Sequence, residues 1–306
     1  MSTAVSSTVS STASAIAWDK VIDFSDYGEL LALVHNSLWA GALLGLVGGL
    51  IGMFIVARDL PFAVHGIAEL SFAGGAAALL LGANVVAGSL VGSVLAAVLF
   101  GVLGARAREH NSAIGVLMPF GLGLGVLFLA LYQGRAANKF GLLTGQIVAV
   151  DDPQLFSLAV IAAVVVVALA LLWRPLLFAS LDPDVAAARG VPVRALSPVF
   201  MLVLGLSVAM SVQIVGALLV LALLVTPAAA AMRVSASPFV VPVLSTAFAL
   251  VAMVGGLLLA VGSSIPISPY VTTVSFVIYL VCRLIARLRR PADRPETPRP
   301  VVAEIV

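Results

Sequence analysis

Long apolar runs recur along this chain, separated by short connections that hold most of its charged residues. A helix needs about 20 predominantly apolar residues to cross the roughly 30 Å hydrocarbon core of a bilayer, and each run is near that length. The runs predict an all-α polytopic transmembrane helical bundle with eight or nine spans. The sixth and seventh are nearly fused, with Gln213 marking their turn, and Pro227 predicts a kink or interruption in the seventh. The runs are 37–57, 62–82, 85–105, 112–132, 154–173, 197–213, 215–232, 239–261 and 270–286.

The composition excludes an ordinary soluble domain. Hydrophobic residues make up 62% of the chain and charged residues 10%, whereas a soluble domain carries roughly 25% charged residues. No HExxH, CxxC, GxSxG or Walker lysine motif occurs, so neither an enzyme nor an ATP site is predicted, and nothing indicates nucleic-acid binding. The single cysteine, Cys282, cannot form an internal disulfide.

The basic residues indicate an orientation. Only Lys20, Arg135 and Lys139 fall in one set of alternate connections. Because cytoplasmic loops are enriched in Lys and Arg, nine spans would place the N-terminus outside and the C-terminus inside, whereas eight would place both ends on one side. The other set of connections holds Arg58, Arg106, Arg108, Arg174, Arg189, Arg194, Arg233 and the run from Arg283 to Arg299.

The segments around the spans predict four regions. Residues 1–18, rich in Ser, Thr and Ala, predict a disordered tail, and 19–36 an amphipathic segment at the membrane surface. The transmembrane domain is 37–286, and 287–306 is a basic cytoplasmic tail. Residues 139–150 are apolar but too short to span, which favours a re-entrant or interfacial piece.

One pair of ionisable residues lies inside an apolar run. His65 and Glu69 are spaced i, i+4, which puts the imidazole and the carboxylate on one helix face. Ionisable groups inside a span usually face a polar cavity or a partner. Two interpretations are open from the spacing: a buried pair that closes on itself and fixes helix packing, or a cation site. Imidazole with carboxylate suits zinc, manganese or ferrous iron.

Two further segments carry polar residues with more than one interpretation. Asp151 and Asp152 precede Pro153 on the predicted outer side, where they indicate a helix start or an entrance that attracts cations. The cytoplasmic connection 181–193 is either an ordinary loop or, from its amphipathic centre and closing Gly190, a short helix that docks in a cleft of another protein.

Four stretches, read in order, resemble the membrane subunit of zinc, manganese or iron ABC importers. The resemblance covers roughly residues 38–285. The most specific stretch is 215–231, Val-Gly-Ala-Leu-Leu-Val-Leu-Ala-Leu-Leu-Val-Thr-Pro-Ala-Ala-Ala-Ala. The others are Ser-Ala-Ile-Gly at 112–115, Leu-Thr-Gly-Gln-Ile-Val-Ala-Val-Asp at 143–151, and Asp-Pro-Asp-Val-Ala-Ala-Ala-Arg-Gly at 182–190.

One departure from that family falls on the ionisable pair. The family often has Gly-Asp-x-x-x-His where this chain has Val64-His65-Gly-Ile-Ala-Glu69. The imidazole and the carboxylate are both kept, in swapped order. The resemblance therefore implies that His65 and Glu69 are metal ligands. A second chain across a two-fold axis would double the ligand number, since one chain offers too few for a closed zinc site.

The resemblance implies a multi-pass permease of the plasma membrane that imports a divalent metal ion and holds no permanently bound cofactor. Zinc is the metal expected, and manganese is the next candidate. The expected partners are a second copy of the chain, an extracellular metal-binding protein and a cytoplasmic ABC ATPase subunit. The residues expected to couple transport to that ATPase are Asp182, Pro183, Ala186, Arg189 and Gly190.

Three alternatives remain beside that expectation. A siderophore or cobalamin ABC permease would need a wider, less charged pathway. An intramembrane metalloenzyme would need three protein ligands and a general base within the spans. A proton-coupled carrier would need no ATPase and no docking loop.

Overall fold

The computed structural model describes residues 28, 31, 33–103, 107–134, 141–142, 145, 150–217, 219–261, 263 and 266–289, with the backbone alone at 103 and 107–113. The predicted tail 1–18, most of the surface segment 19–36, most of the apolar piece 139–150 and the tail from residue 290 onward lie outside the described residues.

All eleven elements found in the described residues are α-helices, which confirms the predicted all-α class. Eight of them are long and apolar enough to cross a membrane; α6, α8 and α9 are shorter. The helices are α1 (His35–Ala57), α2 (Pro61–Leu80), α3 (Val85–Leu103), α4 (Ala107–Leu131), α5 (Asp152–Leu181), α6 (Pro183–Ala188), α7 (Val193–Val215), α8 (Val220–Leu224), α9 (Thr226–Val234), α10 (Val240–Val261) and α11 (Ile267–Leu288).

The seventh apolar run forms two short helices instead of one. Helix α8 ends at Leu224 and α9 begins at Thr226, with Pro227 in its first turn. Proline lacks a backbone N–H and its ring clashes with the carbonyl four residues earlier, so it cannot continue α8. The predicted interruption at Pro227 is confirmed.

The turn before this broken segment does not lie at Gln213 as expected. Helix α7 continues to Val215, and Gly216 ends it with a φ of 80°. Glycine adopts such a left-handed conformation without a Cβ clash, which is why the chain reverses there.

The fifth predicted span was too short. Helix α5 runs from Asp152 to Leu181 and contains Arg174 and Pro175, at which the expected span ended. Its 30 residues give a length of about 45 Å. The helix is therefore longer than the roughly 30 Å hydrocarbon core is thick, and it extends beyond that core unless it tilts strongly. The extra turns lead directly into α6.

Two opposite ends of the bundle can be distinguished. At one end, which we call the Asp151 end, Asn36 at the start of α1 donates a hydrogen bond of 2.7 Å to Asp152 at the start of α5. Helices α1 and α10 run antiparallel, since Gly45 lies against Leu250 and Gly49, one turn later, lies against Thr246, one turn earlier. The start of α10, and Arg233 shortly before it, therefore lie at the opposite end, which we call the Arg233 end.

The broken segment connects the two ends. Gln213, before it, contacts Val86 at the Asp151 end through a hydrogen bond of 3.4 Å, whereas Arg233, at its close, contacts Tyr279 near the end of α11. Within the described residues, the chain thus passes along the bundle nine times, eight times in long helices and once in the pair α8–α9. This agrees with the predicted eight or nine spans.

Small residues bring the helix backbones into contact. A Cβ added at Gly49 would collide with the backbone of Thr246 in α10, and one added at Gly74 with the backbone of Gly88 in α3. Gly123, in contrast, has open space around its Cβ position and is not a packing site. Close approach through glycine supplies the van der Waals contact that holds helices together in lipid.

Candidate metal site and connector

Helix α2 carries the ionisable pair on one face. The helix begins at Pro61. Proline is tolerated at the first helical position because a backbone N–H there would have no acceptor within the helix. The Nε2 atom of His65 lies 3.6 Å from the Oε1 atom of Glu69, one turn further along. The spacing i, i+4 thus brings the two side chains together as expected.

The pair does not close on itself. A separation of 3.6 Å is longer than a hydrogen bond between nitrogen and oxygen, about 2.7–3.2 Å. The other carboxylate oxygen of Glu69, Oε2, is buried and has no hydrogen-bond partner among the described residues. The carboxylate therefore keeps unused acceptor capacity in the interior of the bundle.

The geometry fits two ligands of one metal ion. Imidazole nitrogen and carboxylate oxygen bind zinc at about 2.0–2.2 Å, so two such ligands at a tetrahedral angle lie roughly 3.4 Å apart. The observed 3.6 Å between Nε2 and Oε1 is close to that value. An ion between the two atoms would need only a small adjustment of either side chain.

Burial sets Glu69 apart from every other charged residue in the described part of the chain. Its exposed fraction is 3%, and it is the one charged residue among the buried polar side chains there. The His65 side chain is 30% exposed. Glu69 lies eight residues after Pro61, about 12 Å along the helix axis, and His65 lies one turn nearer the start of the helix.

Among the described residues, one chain brings two candidate ligands together here. The described residues contain no group of three or more His, Cys, Asp or Glu side chains that could hold a metal ion. Further ligands would have to be water, neutral oxygen atoms or groups from another molecule. The three-ligand cluster that an intramembrane metalloenzyme needs is likewise not found among these residues.

The two acids at the start of α5 have separate environments. Asp151 is the N-cap and accepts a hydrogen bond of 2.8 Å from the backbone N–H of Gln154, which confirms the helix-start interpretation. Asp152 accepts the hydrogen bond from Asn36 instead. Asn36 was missed from the sequence, because nothing local indicates a partner more than a hundred residues away.

A cavity of about 540 Å³ opens at the Asp151 end. Asp151 lines it and Asp152 does not. Leu79, also in the lining, follows Glu69 by ten residues of the same helix, about 15 Å, so the cavity and the pair are separate. The entrance role of the two acids stays a prediction. The polar lining consists of Asn84, Asp151, Gln154, Ser157 and Gln213.

The connection after α5 forms a short helix. Asp182 caps α6 by accepting hydrogen bonds from the backbone N–H groups of Asp184 and Val185, at 3.2 and 3.0 Å. The helix closes at Gly190, whose φ is 85°. The sequence predicts the closing glycine of this helix, whereas the capping role of Asp182 is seen only in the structure.

The residues expected to contact a partner are not equivalent. Asp182, Pro183, Arg189 and Gly190 are exposed at the Arg233 end of the bundle. Ala186 is completely buried against the rest of the chain. Ala186 therefore anchors α6 to the bundle instead of presenting a side chain to another protein, a distinction that the sequence pattern alone does not reveal.

Arg58, directly after α1, lies near the same end. Its guanidinium is 5.3 Å from the centre of the Phe200 ring, which allows a cation–π contact. Burial lowers the pKa of the Arg58 guanidinium from its ordinary value. The aromatic contact ties α1 to α7 beside the connector.

The model of the ABC 3 transport family matches residues 31–286. The manganese import system permease protein ScaB of Streptococcus parasanguinis is 28% identical over 271 residues, which cover 88% of this chain and 96% of that protein. The manganese transport system membrane protein MntC of Halalkalibacterium halodurans is 29% identical over 229 residues, 74% of this chain and 78% of that protein.

A solved structure shares the fold. The structure of PsaBC from Streptococcus pneumoniae in complex with Fab superposes with a TM-score of 0.77 over 87% of this chain and 100% of the matched chain. The two sequences are 24% identical, so the likeness bears on the fold alone.

Proposed function

This chain belongs to the ABC 3 transport family, and from that premise we propose that it imports a divalent metal ion, bound transiently by His65 and Glu69, in an ATP-driven complex. It is the permease of a metal ABC importer, a multi-pass protein of the plasma membrane and not an enzyme. ATP hydrolysis is assigned to a separate subunit.

The observation that carries the metal site is the unsatisfied buried carboxylate. Glu69 has one oxygen 3.6 Å from His65 and the other without a hydrogen-bond partner among the described residues. A buried charge without compensation is costly, and a divalent cation would supply that compensation. Binding by two protein ligands is weak enough to permit release, which transport requires.

For the ion we propose manganese, with zinc as the alternative. Two relatives that align over most of their length have names that state manganese import or transport. Imidazole and carboxylate suit both metals and also ferrous iron. The ligand types by themselves favour zinc no more than manganese.

For the ATPase partner we propose docking on α6. The helix is short, capped at both ends and exposed at the Arg233 end, with Ala186 fixing it to the bundle. Asp182, Pro183, Arg189 and Gly190 would form the contact surface. A rigid connector of this kind can pass movement of a docked subunit to α5 and α7, the two helices that it joins.

The remaining partners are a second copy of the chain and an extracellular metal-binding protein. The described part of one chain supplies two ligands, and the His65 side chain is partly exposed, so a facing copy could complete the coordination. Asp151 and Asp152 lie at the opposite end from α6, where a protein that delivers the ion would approach. Their negative charge would attract a cation.

The experiment is metal uptake by cells that express the complete complex, offered manganese, zinc and iron together. Glu69→Gln keeps the size of the side chain and removes its charge. It should lower uptake at least about 100-fold, since even residues that only support a ligand typically cost 10–100-fold. The matched control is Asp59→Asn, which removes an exposed carboxylate at a position with φ of 55° that asparagine tolerates.

The metal that accumulates decides between manganese and zinc. Normal uptake by a well-expressed Glu69→Gln protein would exclude the carboxylate as an essential ligand. Uptake of an iron chelate with no free metal ion would instead indicate a siderophore permease.

A further inference from the structure

Four arginines converge on one groove at the Arg233 end of the bundle. Arg233 comes from α9, and the other three come from the last turns of α11 and its cap. The groove encloses about 440 Å³. All four arginines are exposed, and we call this feature the arginine groove. It is lined by Met232, Arg233, Val234, Arg283, Ala286, Arg287 and Arg289.

The arginine groove has no negative charge of its own in the described part of the chain. The ion pairs found there do not include any of the four arginines. Arg233 donates a hydrogen bond of 3.4 Å to the Tyr279 hydroxyl and lies 6.0 Å from the centre of that ring, so both contacts are made to a residue without charge. Arg283 and Arg287 are spaced i, i+4 on one face, where like charges destabilise a helix. A bound anion would relieve this repulsion.

An apolar stripe formed by Leu280 and Leu284 continues the groove toward the middle of α11. With Arg283 and Arg287 these leucines follow the spacing i, i+3, i+4, i+7 on one helix face, and the four residues line a second, shallower cavity. The exposed fractions of Leu280 and Leu284 are 44% and 57%. Guanidinium groups thus lie at the helix end with an exposed hydrocarbon surface directly above them.

We propose that the arginine groove binds the phosphate headgroup of an anionic phospholipid, with an acyl chain along Leu280 and Leu284. Guanidinium forks match phosphate oxygens in geometry and charge. Basic pockets between transmembrane helices bind such headgroups. The apolar stripe favours a lipid over a free anion, because one lipid molecule can contact both the arginines through its headgroup and the two leucines through its acyl chain. This inference does not depend on the metal or on its ligands.

The positive-inside bias alone would put arginines at this end, so the test must separate a site from a general charge effect. Arg174 and Arg194 are also exposed, lie toward the same end and do not line the groove. The double variant Arg283→Gln/Arg287→Gln and the control Arg174→Gln/Arg194→Gln remove the same charge. Arg283→Lys/Arg287→Lys keeps the charge and loses the planar fork.

The full-length chain, purified in detergent, is titrated with phosphatidylglycerol or phosphatidylcholine, and bound lipid is counted by native mass spectrometry. Wild type should prefer phosphatidylglycerol. Each guanidinium near an anionic lipid contributes about 1 kcal/mol, so removing two should weaken phosphatidylglycerol binding about 30-fold. The control double variant should bind as wild type does, and the lysine variant should lie between them.

Three results would overturn the proposal. Equal binding of both lipids by wild type would mean no anionic site. An equal loss in the Arg174/Arg194 control would mean a general charge effect. Full competition by glycerol phosphate, which has the headgroup phosphate but no acyl chain, would assign the groove to a free anion. Elution of each variant as wild type on size exclusion distinguishes loss of the site from loss of the fold.

Discussion

The Nε2 atom of His65 lies 3.6 Å from the Oε1 atom of Glu69, while Oε2 of Glu69 is buried without a hydrogen-bond partner among the described residues. A pair that served packing alone would gain from closing to hydrogen-bond distance, because unsatisfied buried polar groups cost about 1–3 kcal/mol each. The gap is instead close to the separation of two ligands on one metal ion. The packing interpretation and the metal-site interpretation therefore predict opposite effects of a Glu69 substitution on the stability of the metal-free protein.

Glu69→Gln should not destabilise the metal-free protein, because it removes a buried charge that lacks compensation. It should also abolish stabilisation by added manganese, which at 100 times the dissociation constant amounts to about 2.7 kcal/mol for one site. Thermal unfolding in detergent, with and without manganese, measures both quantities. If the pair were structural, the variant would unfold at a lower temperature in the absence of metal and would respond to manganese as wild type does.

Metal binding should weaken as pH falls. Neutral imidazole and ionised carboxylate are the forms that bind a metal, so protonation of either group competes with the ion. The apparent affinity should fall by up to about tenfold per pH unit for each proton displaced. Titration with manganese across the range of about pH 5 to 8, in which histidine usually changes charge, tests this. Affinity that is constant across the range would argue against an imidazole ligand.

Gly190 closes α6 in a left-handed conformation, and nothing lies within 4 Å of its Cβ position. Gly190→Trp should therefore project into the space beside α6 and prevent the ATPase from docking, besides adding backbone strain of about 1–2 kcal/mol. Gly190→Asn is the control, since asparagine tolerates this backbone and is small. Co-purification of the ATPase with each variant is the measurement, and equal recovery with Trp and Asn would contradict docking at α6.

Arg189→Glu reverses an exposed charge on the same connector and should reduce ATPase recovery and transport together. Arg194→Glu is the matched control, because it makes the same charge reversal just outside α6, at the start of α7. Unchanged transport in the Arg189 variant would remove this residue from the proposed surface.

The orientation predicts which end reacts from outside the cell. With the native cysteine replaced by Cys282→Ser, a cysteine at Asp152 should react with a membrane-impermeant reagent in intact cells. A cysteine at Asp184 should react only after permeabilisation. Both positions are exposed, so access and not burial decides the result. Labelling at Asp184 in intact cells would reverse the orientation and place α6 out of reach of a cytoplasmic ATPase.

Gly49→Ala should destabilise the bundle by about 1–3 kcal/mol, as overpacking does, because its Cβ would meet the backbone of Thr246. Gly255→Ala in α10 is the control, since nothing lies within 4 Å of its Cβ position. Alanine is the better helix former by about 1 kcal/mol, so the control should be neutral or stabilising. The unfolding temperature should therefore fall for Gly49→Ala and stay the same or rise for Gly255→Ala; an equal shift would contradict the glycine contact.

The helical class and the number of passes across the bundle follow from the residues alone. Apolar runs of about 20 residues have one stable solution in lipid, where every backbone N–H and C=O must be paired within the segment. The sequence also placed His65 and Glu69 on one face, since i, i+4 neighbours meet in any helix. The interruption at Pro227 is local in the same sense.

Features that depend on contacts between distant parts of the chain became visible in the fold and not before. Pro175 continues α5 although the local pattern favoured an end there, and Asn36 pairs with Asp152 across 116 positions. Gly49 contacts another helix and Gly123 does not, although both lie in similar runs. Ala186 faces the bundle, and Arg233 joins Arg283 and Arg287 in one groove. Hydrophobic length and helical period are properties of a single segment. The burial of a side chain, its contact partner and the cavity that it lines depend instead on which faces of different segments meet.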